Sequence, residues 1–309
     1  MSPLSRPRIL VLDIGLSRDT PDSCSGEILE FTPDGANQRV LVHKQALPDG
    51  LVVDVVRQRM YWTCMGLPGN PDGALYSANI DGADIQTVVA PGVVNTPKQL
   101  TLDTESAKLY FCDREGLCVY RCNVDGSDLE ALIATGEPGS PPDGMTFCVG
   151  IAVAPKLGKF YWTQKGPSKG NRGRIFCANI STPTGQSAAS RSDIRCILND
   201  LPEPIDLEID EASSTLYWTD RGELPWGNSL SRVRLDESGL PLPTTASPQK
   251  YEVLARHFSE AIGLKLDSER GEIYVADLGG SIYRCDMDGK QKLKIYSEDS
   301  RAFTGIALL

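Results

Sequence analysis

The chain has 309 residues, of which 31 are Lys or Arg and 41 are Asp or Glu, so its formal net charge is −10 at pH 7. The basic residues form no cluster, which argues against binding to nucleic acid, because that interaction needs a cationic stripe. No apolar run approaches the roughly 18 residues of a membrane-spanning helix. The amino-terminal sequence MSPLSRPRILVLDIG meets an aspartate after a short apolar stretch and predicts a strand, not a cleaved signal. We therefore expect a cytoplasmic protein.

The nine cysteines argue against a secreted disulfide framework. Their number is odd, and their spacings match neither a CxxC pair nor a zinc-finger pattern. Cys122, Cys177 and Cys285 occupy the same place in the related phrases VYRCNVDG, RIFCANIS and IYRCDMDG. We therefore predict that most of the cysteines are free thiols and that these three are small core residues.

A tyrosine-centred phrase recurs along the chain. It reads RMYWTCMG, KLYFCDREG, KFYWTQKG, STLYWTDRGE and EIYVADLGG. Its tyrosines follow one another at intervals of 49 to 57 residues: Tyr61, Tyr110, Tyr161, Tyr217 and Tyr274. A repeat of this length indicates units that bury their faces against their neighbours, so we predict a single domain over residues 1–309.

Each repeat predicts four strands. An inner strand such as GLVVD is followed by the YWTD-like strand, by a third such as VYRCNV and by a fourth such as LEALI. Asp81-Gly82, Asp125-Gly126 and Asp288-Gly289 predict tight hairpins between the third and fourth strands. Five units are complete. The amino terminus (RILVLD, GEILEFTPDG, QRVLV) lacks an inner strand, which FTGIALL at the carboxyl terminus supplies.

These units predict an all-β, six-bladed β-propeller with four-stranded antiparallel blades. Strands from both termini close the ring, which removes open sheet edges. The repeats resemble the YWTD repeats of the six-bladed propellers in low-density-lipoprotein receptors, over nearly the whole chain. That resemblance implies the fold, whereas propellers host many activities. The single-domain organisation, without a secretory signal or a cysteine-rich flanking module, is similar to that of the fungal hetero-Diels–Alderases that make tropolone sesquiterpenoids.

Loop lengths predict where a ligand binds. In a propeller, the connection from second to third strand and the connection from fourth strand to the next inner strand lie on the same face. The first connection is short in two blades (DREGL, DLGG) and long in four (DIGLSRDTPDSCSG, CMGLPGNPDG, QKGPSKGNRG, DRGELPWGNS). The short-loop blades lie opposite each other, so we predict a groove between a wall at residues 64–73 and a wall at residues 164–228.

Five residues on this face are candidates for the site. Trp226 lies outside the repeated tryptophan position, which favours stacking on a ligand. His257 precedes an inner strand and is a candidate proton donor or acceptor. Asp49 and Lys98 also lie beside inner strands, either as groups that polarise a ligand oxygen or as solvated rim charges. Phe303 occupies the corresponding rim of the closing blade, as a lid or as a core residue.

Other features of the inner strands argue mostly for structure. Glu208 and Lys265 occupy equivalent positions in adjacent strands, which favours an inter-blade ion pair over a catalytic acid and base. Asp206 replaces the usual glycine and is expected to join them. With His43 and His257 as the only histidines, we expect no multi-histidine metal site. A calcium site stays open, although no acidic loop with alternating ligands occurs, and neither a nucleophile elbow, a P-loop nor a dinucleotide fingerprint is found.

Three classes of function remain open, and we favour the first. The resemblance implies a cofactor-independent enzyme that binds an apolar small molecule and guides a (hetero-)Diels–Alder cycloaddition of a tropolone quinone methide with a macrocyclic sesquiterpene alkene. In that interpretation, catalysis falls to His257, Lys98 and Asp49, and substrate binding to Trp226, Arg221, Lys165 and Phe303. The second class is a protein-binding module that uses the same face. The third is a metal-dependent lactonase or hydrolase.

Overall fold

The chain folds into six blades arranged around a central channel. The computed structural model describes residues 6–16, 24–136, 143–243 and 250–309. Its six sheets each contain four antiparallel strands, and the inner strands neighbour one another around a closed ring. The predicted all-β, six-bladed architecture is therefore confirmed. The described residues contain no helix long and apolar enough to span a membrane.

We number the blades along the chain, with strands given from the channel outward. Blade 1 contains β4 (Pro48–Asp54), β5 (Arg59–Cys64), β6 (Gly73–Asn79) and β7 (Gln86–Val94). Blade 2 contains β8 (Pro97–Asp103), β9 (Lys108–Asp113), β10 (Cys118–Asn123) and β11 (Glu130–Ala134). Blade 3 contains β12 (Cys148–Ala154), β13 (Lys159–Gln164), β14 (Gly173–Asn179) and β15 (Arg195–Leu201), with a 3-10 turn at Pro155–Leu157.

The remaining blades complete the ring. Blade 4 contains β16 (Pro204–Asp210), β17 (Thr215–Asp220), β18 (Ser229–Arg234) and β19 (Glu252–Arg256). Blade 5 contains β20 (Ala261–Asp267), β21 (Glu272–Asp277), β22 (Ser281–Asp286) and β23 (Leu293–Ser297). Blade 6 contains β24 (Phe303–Leu308), β1 (Ile9–Asp13), β2 (Gly26–Phe31) and β3 (Gln38–Gln45).

Blade 6 joins the two ends of the chain, as predicted. Its inner strand β24 pairs antiparallel with β1, with Ile9 opposite Leu308. Just beyond this pair, Arg8 and Leu309 exchange two backbone hydrogen bonds of 2.8 and 2.9 Å. The sheet therefore holds the amino and carboxyl termini together at the same edge of the molecule.

Aromatic and cysteine side chains fill the wedges between blades. Trp62, Trp162 and Trp218 of the second strands are at most 1% exposed. Cys122 and Cys177 are completely buried, as predicted from their place in the repeat. Eight of the cysteines are free thiols: Cys64, Cys112, Cys118, Cys122, Cys148, Cys177, Cys196 and Cys285. Burying such apolar surface contributes roughly 25 cal/mol per Å², so these wedges supply much of the stability.

The threonine of the YWTD phrase ties blades 1, 3 and 4 to the blade that follows each of them. Thr63 Oγ1 accepts a hydrogen bond from Gly50 N (2.8 Å) in its own blade and donates one to Lys98 O (2.7 Å) in the following blade. Thr163 and Thr219 repeat this pattern with the carbonyl oxygens of residues 205 (2.9 Å) and 262 (2.6 Å). The repeated phrase thus fixes where each inner strand begins.

The Asp-Gly pairs form tight hairpins, as predicted, and also contact the preceding blade. Gly82, Gly126 and Gly289 have φ of +88°, +86° and +73°. A Cβ added to Gly126 would lie only 1.8 Å from Val88 O on the outer strand of blade 1. Glycine is therefore required there both for the left-handed backbone and for the close approach.

The two sets of loops that the sequence places on one face do lie together. In every blade, the residue after the second strand donates its backbone N–H to a carbonyl in the loop before the inner strand, at 2.9 to 3.4 Å. The connecting loops are short at residues 114–117 and 278–280 and long at 65–72, 165–172 and 221–228. Of the loop between β1 and β2, residues 17–23 lie outside the described residues.

Candidate functional site

The second position of the inner strands forms a ring at the mouth of the channel, on the long-loop face. Around blades 1 to 6 it holds Asp49, Lys98, Val149, Ile205, Ile262 and Thr304. Val149, Ile205 and Ile262 are at most 5% exposed and form one apolar cluster, against which the partly exposed Leu278 packs. Half of this inner ring is therefore an apolar floor, and the other half is polar.

A second ring surrounds the first and is also divided. It consists of the residues that directly follow the second strands, and around blades 1 to 6 it holds Met65, Arg114, Lys165, Arg221, Leu278 and Ile14. Three consecutive blades carry cations, and the other three carry apolar side chains. The two divisions do not coincide, because in blades 3 and 4 a cation of the second ring lies beside an apolar residue of the floor.

Asp49 and Lys98 form a buried ion pair in the polar half of the inner ring. Asp49 is 2% exposed and Lys98 is 9% exposed, so their interpretation as solvated rim charges is wrong. The Lys98 ammonium donates to the Asp49 carboxylate, which also accepts from Gln99 Nε2 at 3.0 Å. Lys98 Nζ lies 3.1 Å from Met65 Sδ.

The surroundings of Lys98 make its charged form less favourable. Burial lowers the pKa of Lys98; the Asp49 carboxylate opposes this shift, and the positive charges of Arg114 and Arg221 add to it. Arg114 is in blade 2 and Arg221 is in blade 4. Cations from separate blades therefore act on one another across the mouth.

Glu203 links blades 3 and 4 beside this pair. It is 2% exposed, and its Oε1 accepts from Lys165 Nζ at 3.0 Å and from Arg221 Nε and Nη2 at 2.9 and 2.7 Å. Burial alone would raise the pKa of Glu203, but the charges and hydrogen bonds of Arg221 and Lys165 outweigh it and hold the pKa below its usual value. Lys165 and Arg221, two predicted substrate-binding residues, thus come together on a carboxylate that sequence analysis missed.

Asp220, the aspartate of the YWTD phrase, positions Glu203. Its carboxylate accepts from the backbone N–H groups of Glu203 at 3.0 Å and Gly222 at 2.8 Å. Burial raises the pKa of Asp220 to about 7, although these N–H donors act in the opposite direction. The aspartate of the repeated phrase thus explains the position of Glu203. The one sequence signal for Glu203 was a charged residue directly before Pro204, where β16 begins.

Three other predicted site residues lie away from the mouth. Trp226 lines a cavity of about 450 Å³ along the outer strand of blade 4, with the Arg256 guanidinium 5.5 Å from its ring centre. His257 is exposed, and its carbonyl accepts from Lys292 Nζ at 3.1 Å. Phe303 is completely buried and packs against Phe31. Of the two roles considered for Phe303, the core role is therefore the one observed, and direct contact with a ligand would require it to be uncovered.

Glu208 and Lys265 form the predicted ion pair between blades 4 and 5. They line a cavity of about 320 Å³ at the other end of the channel. Asp206 does not bond to either side chain; its carboxylate accepts from the backbone N–H of Leu207 and of Leu264, both at 2.9 Å. It therefore links the two inner strands through the backbone. Within the described residues, no three or more His, Cys, Asp or Glu side chains are placed to hold a metal ion.

Comparison with known proteins identifies relatives of this propeller. The chain is 45% identical to the Pyricularia oryzae protein named low-density lipoprotein receptor-related protein 1, over the whole of both chains. It therefore belongs to the same family as that fungal protein. It is also 49% identical, over 98% of its length, to a Cochliobolus heterostrophus protein named 3-hydroxyacyl-CoA dehydrogenase-like protein LAM1, of which it spans 65%. No model of a known protein family matches the chain.

Solved structures agree with the fold. A chain of a nidogen/laminin complex matches with a TM-score of 0.69 and 17% identity, covering 97% of each chain. TolB of Acinetobacter baumannii matches with a TM-score of 0.65 and 8% identity, covering 98% of this chain and 66% of TolB. A calcium-binding protein, regucalcin, of Agrobacterium tumefaciens matches with a TM-score of 0.60 and 18% identity, covering 85% and 78%. At these identities the likeness shows the fold alone.

Proposed function

We propose that the channel mouth binds a small molecule with an apolar body and an oxygen-bearing end. The reaction that we propose there is a cofactor-independent (hetero-)Diels–Alder cycloaddition in the cytoplasm. The observation that carries this proposal is the division of the mouth. The apolar floor of Val149, Ile205 and Ile262 adjoins a polar half that contains the Asp49–Lys98 pair. Such a surface suits a tropolone quinone methide joined to a macrocyclic sesquiterpene alkene. The free thiols support the proposed compartment.

A cycloaddition asks little covalent chemistry of the protein. Two new carbon–carbon or carbon–oxygen bonds form from π electrons of the two reactants, with no net oxidation and no group left over. Holding both reactants in the reacting geometry contributes several kcal/mol, on the order of 7–11 in well-oriented systems. A cationic donor on the tropolone oxygens stabilises the negative charge that develops there. Lys98 and Arg221 supply that donor, and the floor aligns the alkene.

Lys98 also serves the dehydration that makes the heterodiene. When a hydroxylated tropolone loses water, the carbon–oxygen bond of the leaving hydroxyl breaks and that oxygen needs a proton. The Lys98 ammonium donates it, and the tropolone hydroxyl returns a proton to Lys98, so the net loss is one water. The lowered pKa of Lys98 favours donation of its proton to the leaving hydroxyl. His257, assigned to this step on sequence grounds, is exposed, so we assign the step to Lys98 instead.

The test is a reaction with and without the protein. A hydroxymethyl-substituted tropolone and a macrocyclic sesquiterpene alkene are incubated with purified protein, and the adducts are resolved by chiral chromatography. We expect the protein to accelerate adduct formation and to give one stereoisomer. The same rate and isomer ratio as in buffer would overturn the proposed reaction.

Two variants locate the reaction at the mouth. Lys98→Met should reduce the rate by about tenfold or more, equivalent to some 1.4 kcal/mol. Leu278→Ala keeps every charge and should loosen stereochemical control. Lys265→Met removes the equivalent inter-blade ion pair at the far end of the channel and is the matched control, for which we expect an unchanged rate. Circular dichroism checks that each variant is folded.

The second candidate function is a module that binds another protein. It is favoured by the receptor-related name of one relative and by the length of the other, of which this chain spans only 65%. The chain itself carries no dinucleotide fingerprint, so we assign the dehydrogenase-like character in that name to the part of the relative that this chain does not match. Saturable binding of a partner protein at the mouth, abolished by Lys98→Met without any adduct formation, would favour this candidate.

A further inference from the structure

One cavity lies far from the mouth, where blade 5 meets blade 6, the closing blade. It measures about 960 Å³ and is lined on one side by Arg6 and the β2–β3 turn and on the other by Arg284, Lys294 and neighbouring residues of blade 5. A second cavity of about 290 Å³ shares Thr32 and Asn37 with it and continues along blade 6. We call the two together the seam groove. Arg8, whose backbone pairs with that of Leu309, lines the second cavity.

The seam groove is cationic on a chain whose net charge is −10. Six cations line it: Arg6, Arg8, Arg39, Arg270, Arg284 and Lys294. Of the described residues, three carboxylates line it, Glu30, Asp34 and Glu272, and Arg270 is paired with Asp267. Asp34 accepts hydrogen bonds from Thr32 Oγ1 and Ala36 N and so belongs to the β2–β3 turn. The surplus of positive charge is therefore built into the groove itself.

Glu30 and Glu272 each pair with two arginines, and at least one arginine of each set stays exposed to solvent. Glu30 is paired with both Arg8 and Arg39, and its side chain is 6% exposed, whereas the two arginines are 46% and 59% exposed. Glu272 likewise takes Arg6 at 3.0 Å and Arg284 at 3.5 Å. One carboxylate thus holds two guanidinium groups in each cavity, and of these four arginines Arg6, Arg8 and Arg39 remain about half exposed, whereas Arg284 is 17% exposed.

We propose that the seam groove binds an acidic, extended segment of a partner protein. The cations follow the outer strands and turns of two blades, which suits several carboxylates in a row. Arginines held in fixed positions pair well with carboxylates. The apolar side chains of Leu293 and Ile295 lie between them and suit an apolar residue between the acidic ones. A single small anion would contact only part of a groove of this size and would stay largely hydrated. This surface is independent of the proposed reaction at the mouth.

The test is a binding measurement with a defined peptide. A fluorescein-labelled peptide of about eight residues, in which Glu alternates with Val to match the period of an extended chain, is titrated with the full-length protein. Fluorescence anisotropy should show saturable binding that weakens as salt rises through the range where the Debye length falls below about 10 Å. The same peptide with Lys in place of Glu should not bind. Absence of binding by the Glu peptide at low salt would overturn the proposal.

Charge reversal places the binding in the groove. Lys294→Glu alters an exposed side chain on the outer strand of blade 5 and should weaken binding by about tenfold. The matched control is Arg195→Glu, an equally exposed cation on the outer strand of blade 3. Equal effects of the two variants would mean that only overall charge matters and would overturn the site. Full competition by millimolar inorganic phosphate would assign the groove to small anions and overturn the peptide ligand.

Discussion

The channel mouth and the seam groove both gather cations, but they hold them in opposite ways. At the mouth, Lys98 and Lys165 are less than 10% exposed, and each is paired with a carboxylate that is itself 2% exposed. In the seam groove, Glu30 is buried, whereas the two arginines that pair with it are about half exposed. A buried, paired charge is little screened by salt, whereas an exposed one is screened. The first arrangement suits the orientation of a reactant, and the second suits the capture of a charged chain.

The largest effect should come from removing the shared carboxylate at the mouth. Glu203→Gln leaves Lys165 without its buried partner and Arg221 with only the exposed Glu260, 3.8 Å away. Loss of one partner of a buried ion pair costs about 3 kcal/mol, because the remaining charge cannot regain its hydration. Urea denaturation of the variant and of the wild type should show this difference in the free energy of unfolding.

The matched change in the seam groove should cost much less. Glu30→Gln also removes a buried carboxylate that pairs with two cations. Arg8 and Arg39 are exposed enough to be hydrated when they lose it, so we expect about 1 kcal/mol or less. If the two variants are equally destabilised, the two regions do not differ in the way proposed here.

The dependence of stability on pH sharpens the comparison further. The pKa of Glu203 is lower in the folded protein than its ordinary value of 4.5. Its ion pairs therefore contribute fully above that value, and the contribution is lost as the pH falls below it through the folded-state pKa. We expect the gap in stability between wild type and Glu203→Gln to be constant from neutral pH down to about 5 and to shrink at lower pH. A gap that stays constant down to pH 3 would show that the carboxylate acts by shape and not by charge.

The sequence predicts the blades better than it predicts the mouth, and the reason is the range of the interactions. Trp218 packs in the wedge between blades, and Thr219 and Asp220 bond to nearby backbone groups, so the repeated phrase is enough to predict a structural role for all three. The contact between Lys165 and Glu203 depends on two blades meeting side by side, and no local pattern records it. Asp49 and Lys98 of the inner ring were identified from the sequence. The division of that ring into an apolar and a polar half is seen only when the six inner strands are aligned in register.

The smallest effect should come from replacing Trp226, because this residue lies on the outer flank of blade 4 and not at the mouth. Sequence analysis places it in a wall of the ligand groove, because it lies in a long loop and has no part in blade packing. In the structure it lines the cavity beside Arg256, and Arg256 Nε also donates to Pro225 O at 2.8 Å.

Trp226→Ala should therefore cost about 1 kcal/mol or less in stability, mainly through the lost contact with the guanidinium. Turnover at the mouth should be unchanged within about twofold, measured in the same assay as Lys98→Met. A loss of turnover by tenfold in a folded Trp226→Ala protein would move the site from the central mouth to the flank of blade 4.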